Sequence, residues 1–423
     1  MAVAGAVIAV LFSTSAAQAQ GVDTTCPFAL TRLDSSITNT LAVDTNAVYW
    51  GVHYTAVPGT RIRIEADFPY ARYTSWNLYD SQAKPISGLN DQELEADAGS
   101  TNPFLAGADR TSERRHYTAF VEFGKAPARP KPNTIYSGDS PQGTLLLRVY
   151  MPDRGRDAKG GVPLPRLSVE PANGSGGAVT PTACREAQAP YPQQLNQAVA
   201  GAPGLPDPTD DGDGYPGRNP PNWRLYVNLA RTVTDVMLDN ETGQDLHGPV
   251  TEAMPVAPGI FANRDIDYVF APTSRGFGEV LVVKGRAPTF PDTRGGAKVF
   301  PGGVQTRYFS FCQYEPGSQR VIGCHPDDEI PVDADGNYTV VVSTSEHRPS
   351  NARPECGVAW IPWGPATHAI LVYRQMLAAA SFTEATANIA EPGKELETMG
   401  PYYPSARYLK DETAFEARGC PTG

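Results

Sequence analysis

Polar and apolar positions alternate with a period of two along several short segments of the chain. "TRIRIEADF" (60–68) alternates isoleucine with charged or small residues, which is typical of a half-buried strand. "GEVLVVKG" (278–285) and "YTVVVST" (338–344) are β-branched runs bounded by turn residues, which indicates more deeply buried strands. Helical patterns are few, and the best of them cover 192–201 and 376–389. The pattern predicts an all-β protein with few short helices.

The strand-like segments recur in the same order in two parts of the chain. A shift of 219 residues places "YWGVHYTAVPGTRIRIEADFP" (49–69) over "YVFAPTSRGFGEVLVVKGRAP" (268–288). "RYTSWNLYD" (72–80) is then followed in the second part by its near-echo "RYFSFCQYE" (307–315). Recurring blocks in one order favour an internal duplication, here two tandem β-sandwich or jelly-roll repeats.

The domain boundaries follow from these repeats and from local composition. The apolar start of the chain ends in small residues at Ala17-Gln18-Ala19 and predicts a signal peptide over 1–19. Repeat one then covers 25–170, and repeat two covers 222–390. The Pro- and Gly-rich segment 171–221 is predicted as a linker or crossover, and 391–423 as a tail packed on repeat two.

Charge and cysteine content narrow the compartment and the partners. The 423-residue chain has a formal net charge of −11, which makes nucleic acid an improbable partner. No later segment has an apolar run long enough to span a bilayer. An even number of cysteines, six, suggests disulfides in an exported or cell-envelope protein. The expected pairs are Cys312–Cys324, Cys26–Cys184 and Cys356–Cys420.

The duplicated Arg-Tyr pair has two interpretations. In a strand, Arg72, Thr74 and Trp76 face one side, and Tyr73 and Ser75 face the other. Arg307 and Tyr308 are the second copy. Such a pair can recognise an anion or a sugar in a cleft. Because it recurs in both repeats, we favour a structural arginine that ties one strand to its neighbour.

Carboxylates and a histidine in repeat two are the candidates for catalysis. "GCHPDDEIP" (323–331) contributes Asp327 and Asp328, and "STSEHRP" (343–349) contributes Glu346 and His347. These groups can act as an acid and a base if they converge on one cavity. We favour the alternative explanation, ordinary turn chemistry at a strand entrance for Asp327 and Asp328, and no nucleophile is seen to converge on His347.

Two further segments are candidate binding sites. "VAWIPWGP" (358–365) holds Trp360 and Trp363, which can form an exposed stacking platform or can cap the sandwich. The linker segment "DPTDDGDGYPG" (207–217) concentrates four carboxylates, at Asp207, Asp210, Asp211 and Asp213. Oxygen ligands on a flexible loop suit calcium, although the acidic residue at position 12 of an EF-hand is missing and such segments also occur in many solvated linkers. No cofactor other than calcium has support.

The two Arg-Tyr segments resemble a signature of a bacterial domain family of unknown function, Arg-Tyr-Trp-Ser-Leu-x-x-Tyr-Asp. "VAWIPWGP" is similar to that family's Asn-Trp-Leu-Pro-Ala segment, and "LLLRVYMP" (145–152) to its Leu-Arg-x-Tyr-x-Pro strand. The resemblance implies a β-sandwich or jelly-roll fold and export, and it carries over no catalytic residue. This chain departs from the signature at Thr74 and Phe309, which replace its tryptophan.

The sequence therefore predicts an exported protein that binds a glycan or an apolar metabolite in a cleft of repeat two. The cleft is expected near Trp360, Trp363, Arg307, Tyr308 and His347. Two alternatives stay open: a secreted hydrolase or lyase that uses Glu346, His347, Asp327 or Asp328, and a structural cell-envelope protein without a site. Whether the chain is an enzyme, what its ligand is and how it assembles do not follow from the sequence.

Overall fold

The computed structural model describes residues 26–37, 39, 42–172, 178–190, 218–227, 259–315 and 319–420. We call residues 26–190 the first half and residues 218–420 the second half. The strands of the first half are β1 (Pro27–Phe28), β2 (Thr31–Leu33), β3 (Ala47–Thr55), β4 (Thr60–Asp67), β5 (Ala71–Asp80), β6 (Pro85–Asn90), β7 (His116–Glu122), β8 (Thr134–Tyr136), β9 (Gln142–Pro152) and β10 (Arg166–Pro171).

The strands of the second half are β11 (Arg224–Leu225), β12 (Ile266–Ser274), β13 (Val280–Arg286), β14 (Tyr308–Tyr314), β15 (Val321–Pro326), β16 (Asn337–Ser343), β17 (Ala359–Pro362), β18 (His368–Met376) and β19 (Ser405–Leu409). The described α-helices are the short α1 (Pro181–Ala187), α2 (Glu395–Met399) and α3 (Glu412–Glu416). The all-β class predicted from the alternation is confirmed.

Each half is built from two sheets: an inner sheet that packs against the other half and an outer sheet on the far side of the core. In the first half, the inner sheet has the order β2-β3-β9-β5-β6 and the outer sheet the order β1-β10-β4-β7-β8. In the second half, the inner sheet is β11-β12-β18-β14-β15 and the outer sheet is β17-β16-β13-β19. The inner orders correspond strand for strand. The outer orders correspond when the second is taken in reverse, so that β10, β4, β7 and β8 match β19, β13, β16 and β17; the second outer sheet has no described counterpart of β1. This correspondence is compatible with the duplication that the sequence predicts.

Alternating side chains fill a core between the two sheets of each half. Ile62 and Ile64 of β4 point into the first core, together with Trp76 of β5. Leu281 and Val283 of β13 occupy the corresponding places in the second core. The side chains between them in sequence face outward, as the two-residue period of a strand requires.

A third apolar cluster joins the two inner sheets and makes the halves one packed unit. The Tyr150 ring of the first half packs edge-on against Tyr308 of the second half, with 5.7 Å between ring centroids. Tyr308 donates its hydroxyl to Asp44 of the first half at 2.8 Å, and Tyr73 donates to Asp265 of the second half at 2.6 Å. Each half therefore satisfies the buried tyrosine hydroxyl of the other.

Several buried ion pairs cross the same interface: one joins Arg374 of the second half to Asp44 of the first half at 2.6 Å, and two involve the duplicated arginine. Arg72 of the first half binds Asp327 of the second half, and Arg307 of the second half donates to Asp91 of the first half at 2.8 Å. The side chains of these last four residues are at most 3% exposed. The duplicated arginine is thus structural, but its partner lies in the other half. The predicted attachment to a neighbouring strand is wrong in this respect.

Disulfides close both halves. The three bonds are Cys26–Cys184, Cys312–Cys324 and Cys356–Cys420, the pairings that the sequence predicts.

In the tail, β19 pairs with β13 of the second half. Among the described residues no helix is long and apolar enough to cross a membrane. The predicted signal peptide (1–19) lies outside the described residues.

A candidate ligand groove on the second half

The predicted anion-binding pair, Arg307 and Tyr308, lies inside the protein. Arg307 is 3% exposed and Tyr308 is fully buried. Both side chains are occupied by carboxylates of the first half, Asp91 and Asp44 respectively. The expectation that this pair lines an open cleft is therefore wrong, because the interface between the halves covers it.

The two tryptophans of the 358–365 segment have different environments. Trp363 is completely buried in the second core, so its predicted role as an exposed stacking surface is wrong. Trp360 is half-buried on β17, and its indole N–H donates to the Ser343 hydroxyl at 3.0 Å. The Arg348 guanidinium covers its ring at 4.3 Å from the centroid. Trp360 thus already has a cation stacked on it.

The candidate acid and base groups lie in different surroundings. Asp327 is buried against Arg72, and burial raises the pKa of its carboxyl to about 6 although the guanidinium opposes the shift. Asp328 is 7% exposed and lies 3.3 Å from Arg294. His347 lies on another part of the second half, where Nδ1 is 2.9 Å from Glu412 of α3. This bond to Glu412 raises the pKa of His347.

No contact among the described residues brings His347 or the exposed Glu346 together with Asp327 or Asp328. The predicted calcium ligands Asp207, Asp210, Asp211 and Asp213 lie outside the described residues. Within the described part of the chain, the one cluster with metal-ligand spacing is Asp44, Cys312 and Cys324. Because both thiols are consumed in a disulfide, this cluster has no thiolate to offer a metal.

The outer face of the second half carries an additional layer of chain. Val280 and Val282 of β13 point away from the core and are buried beneath Phe415 of α3. The Cys356–Cys420 disulfide fastens α3 to the 3-10 turn at Pro354–Cys356. In the first half, the positions that correspond to Val280 and Val282 are Arg61 and Arg63, which are charged and only partly buried. The tail is therefore held by apolar contacts that the first half lacks.

Beside this layer, the outer sheet of the second half is left open and forms a groove of about 550 Å³. Its floor is the end of β13, the start of β16 and the first residue of β19. Its walls are the 3-10 turn at Pro354–Cys356, the Val332-Asp333 turn and the chain around α2. A volume of this size is in the ordinary range for small-molecule sites.

Strand register places five polar side chains on the groove floor. Lys284 of β13 pairs with Thr339 of β16 on one side and with Ser405 of β19 on the other. Arg286 pairs with Asn337. Directly opposed residues of paired strands share a face, and so do residues two apart on one strand. Lys284, Arg286, Thr339, Asn337 and Ser405 therefore form one hydrogen-bonding surface.

The two cations of the floor have no described carboxylate within salt-bridge distance, and the nearest acidic influence on Lys284 is Asp333. Within the described residues, no carboxylate lies within 4.0 Å of the Lys284 ammonium or the Arg286 guanidinium. Asp333 lines the same groove, but its Oδ1 accepts the backbone N–H groups of Asp335 and Asn337 at 3.0 and 2.8 Å. The Asn337 N–H bond holds the pKa of this carboxyl below its ordinary value, with a smaller contribution from Lys284.

The first half has the opposite charges at the corresponding positions. Glu65 and Asp67 of β4 correspond to Lys284 and Arg286 under the 219-residue shift. Glu65 lies 3.1 Å from Arg63, and Asp67 lies 3.1 Å from His116. The first half therefore pairs its charges on this face, whereas the second half has two cations there outside any described ion pair.

Sequence reasoning missed the groove because the tail that builds its walls folds back from more than a hundred residues away. One signal was present in the sequence. The alignment of 49–69 with 268–288 places Glu65 over Lys284 and Asp67 over Arg286. A charge reversal on the outward face of a repeated strand marks a surface on which the two copies differ.

No protein-family model and no curated protein matches the chain, so the resemblance to the Arg-Tyr-Trp-Ser family stays a prediction. Two solved structures are similar to it. An uncharacterised protein of Burkholderia cenocepacia aligns over 89% of this chain and 79% of its own, at 14% identity and a TM-score of 0.48. VPA0106 of Vibrio parahaemolyticus aligns over 88% and 92%, at 12% identity and a TM-score of 0.40. Likenesses this distant carry no argument about function.

Proposed function

We propose that the chain is an exported binding protein whose second half takes a ligand with negative charge in the groove over β13, β16 and β19. The observation that carries the proposal is the pair of cations, Lys284 and Arg286, neither of them in a described ion pair, on the floor of an open groove. In a chain of net charge −11, these two cations outnumber the one carboxylate of the groove lining, Asp333, and give the groove a local excess of positive charge.

Export has support from the predicted signal peptide and from the disulfides. Three disulfides and no free cysteine among the described residues are typical of an oxidising compartment. The ligand expected from the sequence was a glycan or an apolar metabolite. The groove adds the requirement of an anionic group, and the exposed Leu396 at its wall keeps an apolar contact available.

The other two functions have less support. A hydrolase or lyase needs two titratable groups that converge on one cavity, and the candidate carboxylates and His347 do not meet. A structural protein without a site should have no sizeable cavity, whereas the groove has the volume of an ordinary ligand site.

A thermal-shift screen of the purified chain against a library of metabolites and oligosaccharides tests the proposal. Compounds that raise the melting temperature are retested on the double variant Lys284→Ala/Arg286→Ala and on a control, Arg129→Ala/Lys298→Ala. The control removes two exposed cations elsewhere and changes the net charge equally. We expect anionic hits whose shift is lost in the first variant and kept in the control. No hits, or hits that survive the loss of Lys284 and Arg286, would contradict the proposal.

A further inference from the structure

We infer that the groove recognises an acidic saccharide, a sugar chain that carries carboxylate groups; this inference rests on the function proposed above. It is drawn from the composition and spacing of the floor rather than from its charge alone. The floor combines two cations with three neutral hydrogen-bonding side chains, Thr339, Asn337 and Ser405.

The cations set the requirement for carboxylates. Arg286 carries a planar guanidinium that matches a carboxylate with two parallel hydrogen bonds, and Lys284 supplies a point charge. They are two residues apart on β13, so their side chains leave the strand roughly 7 Å apart. A ligand that satisfies both has anionic groups separated along its length, as a chain of acidic sugar units does.

The neutral side chains set the requirement for hydroxyl groups. Thr339, Lys284 and Ser405 form a row across three strands, with spacings of roughly 5 Å between strands. Hydroxyl and amide groups both donate and accept hydrogen bonds, and each one that a bound ligand covers needs a partner. Ser405 and Asn337 are exposed in the free protein, where the Asn337 amide donates to Asp333 at 3.3 Å. A fatty acid or an aromatic acid leaves this row unpaired, which costs binding free energy, whereas a polyhydroxylated ring pairs it.

The walls supply the apolar contact. Leu396, 64% exposed, and Val332, 52% exposed, both border the groove, as does Pro401. The C–H face of a sugar ring packs on such surfaces while its hydroxyl groups turn to the polar floor. The first half has no positive surface on the corresponding strand. Glu65 and Asp67 lie there instead and repel a carboxylate.

The test uses calorimetric titration of the whole protein with oligogalacturonate, its neutral methyl ester, a neutral cello-oligosaccharide and succinate as a dicarboxylate without hydroxyl groups. We expect oligogalacturonate to bind, and its affinity to fall as salt is added because exposed charges are screened. The ester, the neutral oligosaccharide and succinate should bind at least about tenfold more weakly.

Three variants assign the binding to the groove. Lys284→Glu/Arg286→Asp, which installs the charges of the first half, should abolish binding, and Thr339→Val should weaken it severalfold. Arg129→Ala/Lys298→Ala should change it by no more than about twofold. Unchanged thermal unfolding shows that each variant is folded.

Equal binding of succinate and oligogalacturonate, or binding that survives the charge reversal, would overturn the saccharide assignment. If oligogalacturonate fails while a non-saccharide compound binds in a manner that requires Lys284 and Arg286, only this inference falls. If no anion of either kind binds, the proposed function falls with it.

Discussion

At the scale of single residues, the two halves differ in how they satisfy one buried tyrosine hydroxyl. In the first core, the Trp76 indole N–H donates to the Tyr117 hydroxyl at 2.9 Å. In the second core, Phe311 stands in the place of Trp76, and the hydroxyl of Tyr338, the counterpart of Tyr117, is buried without a described partner. The tyrosine hydroxyl at this corresponding position is therefore hydrogen-bonded in the first half and has no described partner in the second.

This difference predicts opposite effects of the same substitution. Tyr117→Phe should lower the free energy of unfolding by about 1–3 kcal/mol, because the Trp76 N–H is left buried without an acceptor. Tyr338→Phe removes a hydroxyl that has no described partner, so it should be neutral or stabilising by up to about 1 kcal/mol. Denaturant unfolding of both variants measures the two values. Equal destabilisation by both would contradict the assignment.

At the scale of elements, the repeated strands β5 and β14 each serve the opposite half. Asp91 accepts the Thr74 N–H of its own half at 2.9 Å and the Arg307 guanidinium of the other half. Asp327 does the same for the Phe309 N–H at 3.1 Å and for Arg72. Asp91 thus binds the backbone of β5 and Asp327 binds the backbone of β14, each within its own half. Each carboxylate also binds an arginine of the other half.

A double-mutant cycle on Arg307 and Asp91 measures this contact. Arg307→Met should destabilise the protein by about 3–5 kcal/mol, because it leaves Asp91 buried and charged without its cation. Asp91→Asn keeps an acceptor for the Thr74 N–H. The double variant should therefore lose clearly less than the sum of the two single variants. Additive losses would show that the two side chains do not interact.

The same carboxyls predict a pH dependence. Burial raises the pKa of Asp91 and of Asp327 to about 6, above the ordinary 3.8, although Arg307 and Arg72 oppose the shift. A raised pKa in the folded state stabilises at low pH, and that stabilisation is lost as pH rises from about 4 to about 6. In Asp91→Asn/Asp327→Asn this part of the loss should disappear. Parallel curves of unfolding free energy against pH for both proteins would contradict it.

The sequence patterns predict where the strands lie better than they predict which residues contact one another in the fold. The period of two in β4 and the β-branched runs of β13 and β16 predicted strands correctly because alternation follows from strand geometry. The helix predicted over 376–389 is wrong: β18 ends at Met376, and Phe382 and Ala385 instead pack with Tyr402 of the tail. Tertiary contacts override local helix propensity there.

At the scale of the whole molecule, the interface between the inner sheets conceals the most recognisable motif of the sequence. Both residues of each Arg-Tyr pair bind carboxylates of the other half. Their burial by the other half could not be read from the sequence, because Arg307 and Asp91 are 216 residues apart. The groove, by contrast, lies on an outer sheet, where the tail and a reversal of charge make the second half different from the first.

Hydrogen–deuterium exchange with and without oligogalacturonate tests the central claim, that the groove of the second half is the binding site, most directly. We expect slower exchange at 284–286, 337–339 and 400–405, which form its floor and one wall. The corresponding segments of the first half, 65–67 and 116–118, should be unchanged and serve as an internal control. Protection confined to the first half, or an oligogalacturonate complex without protection at 284–286, would contradict the account.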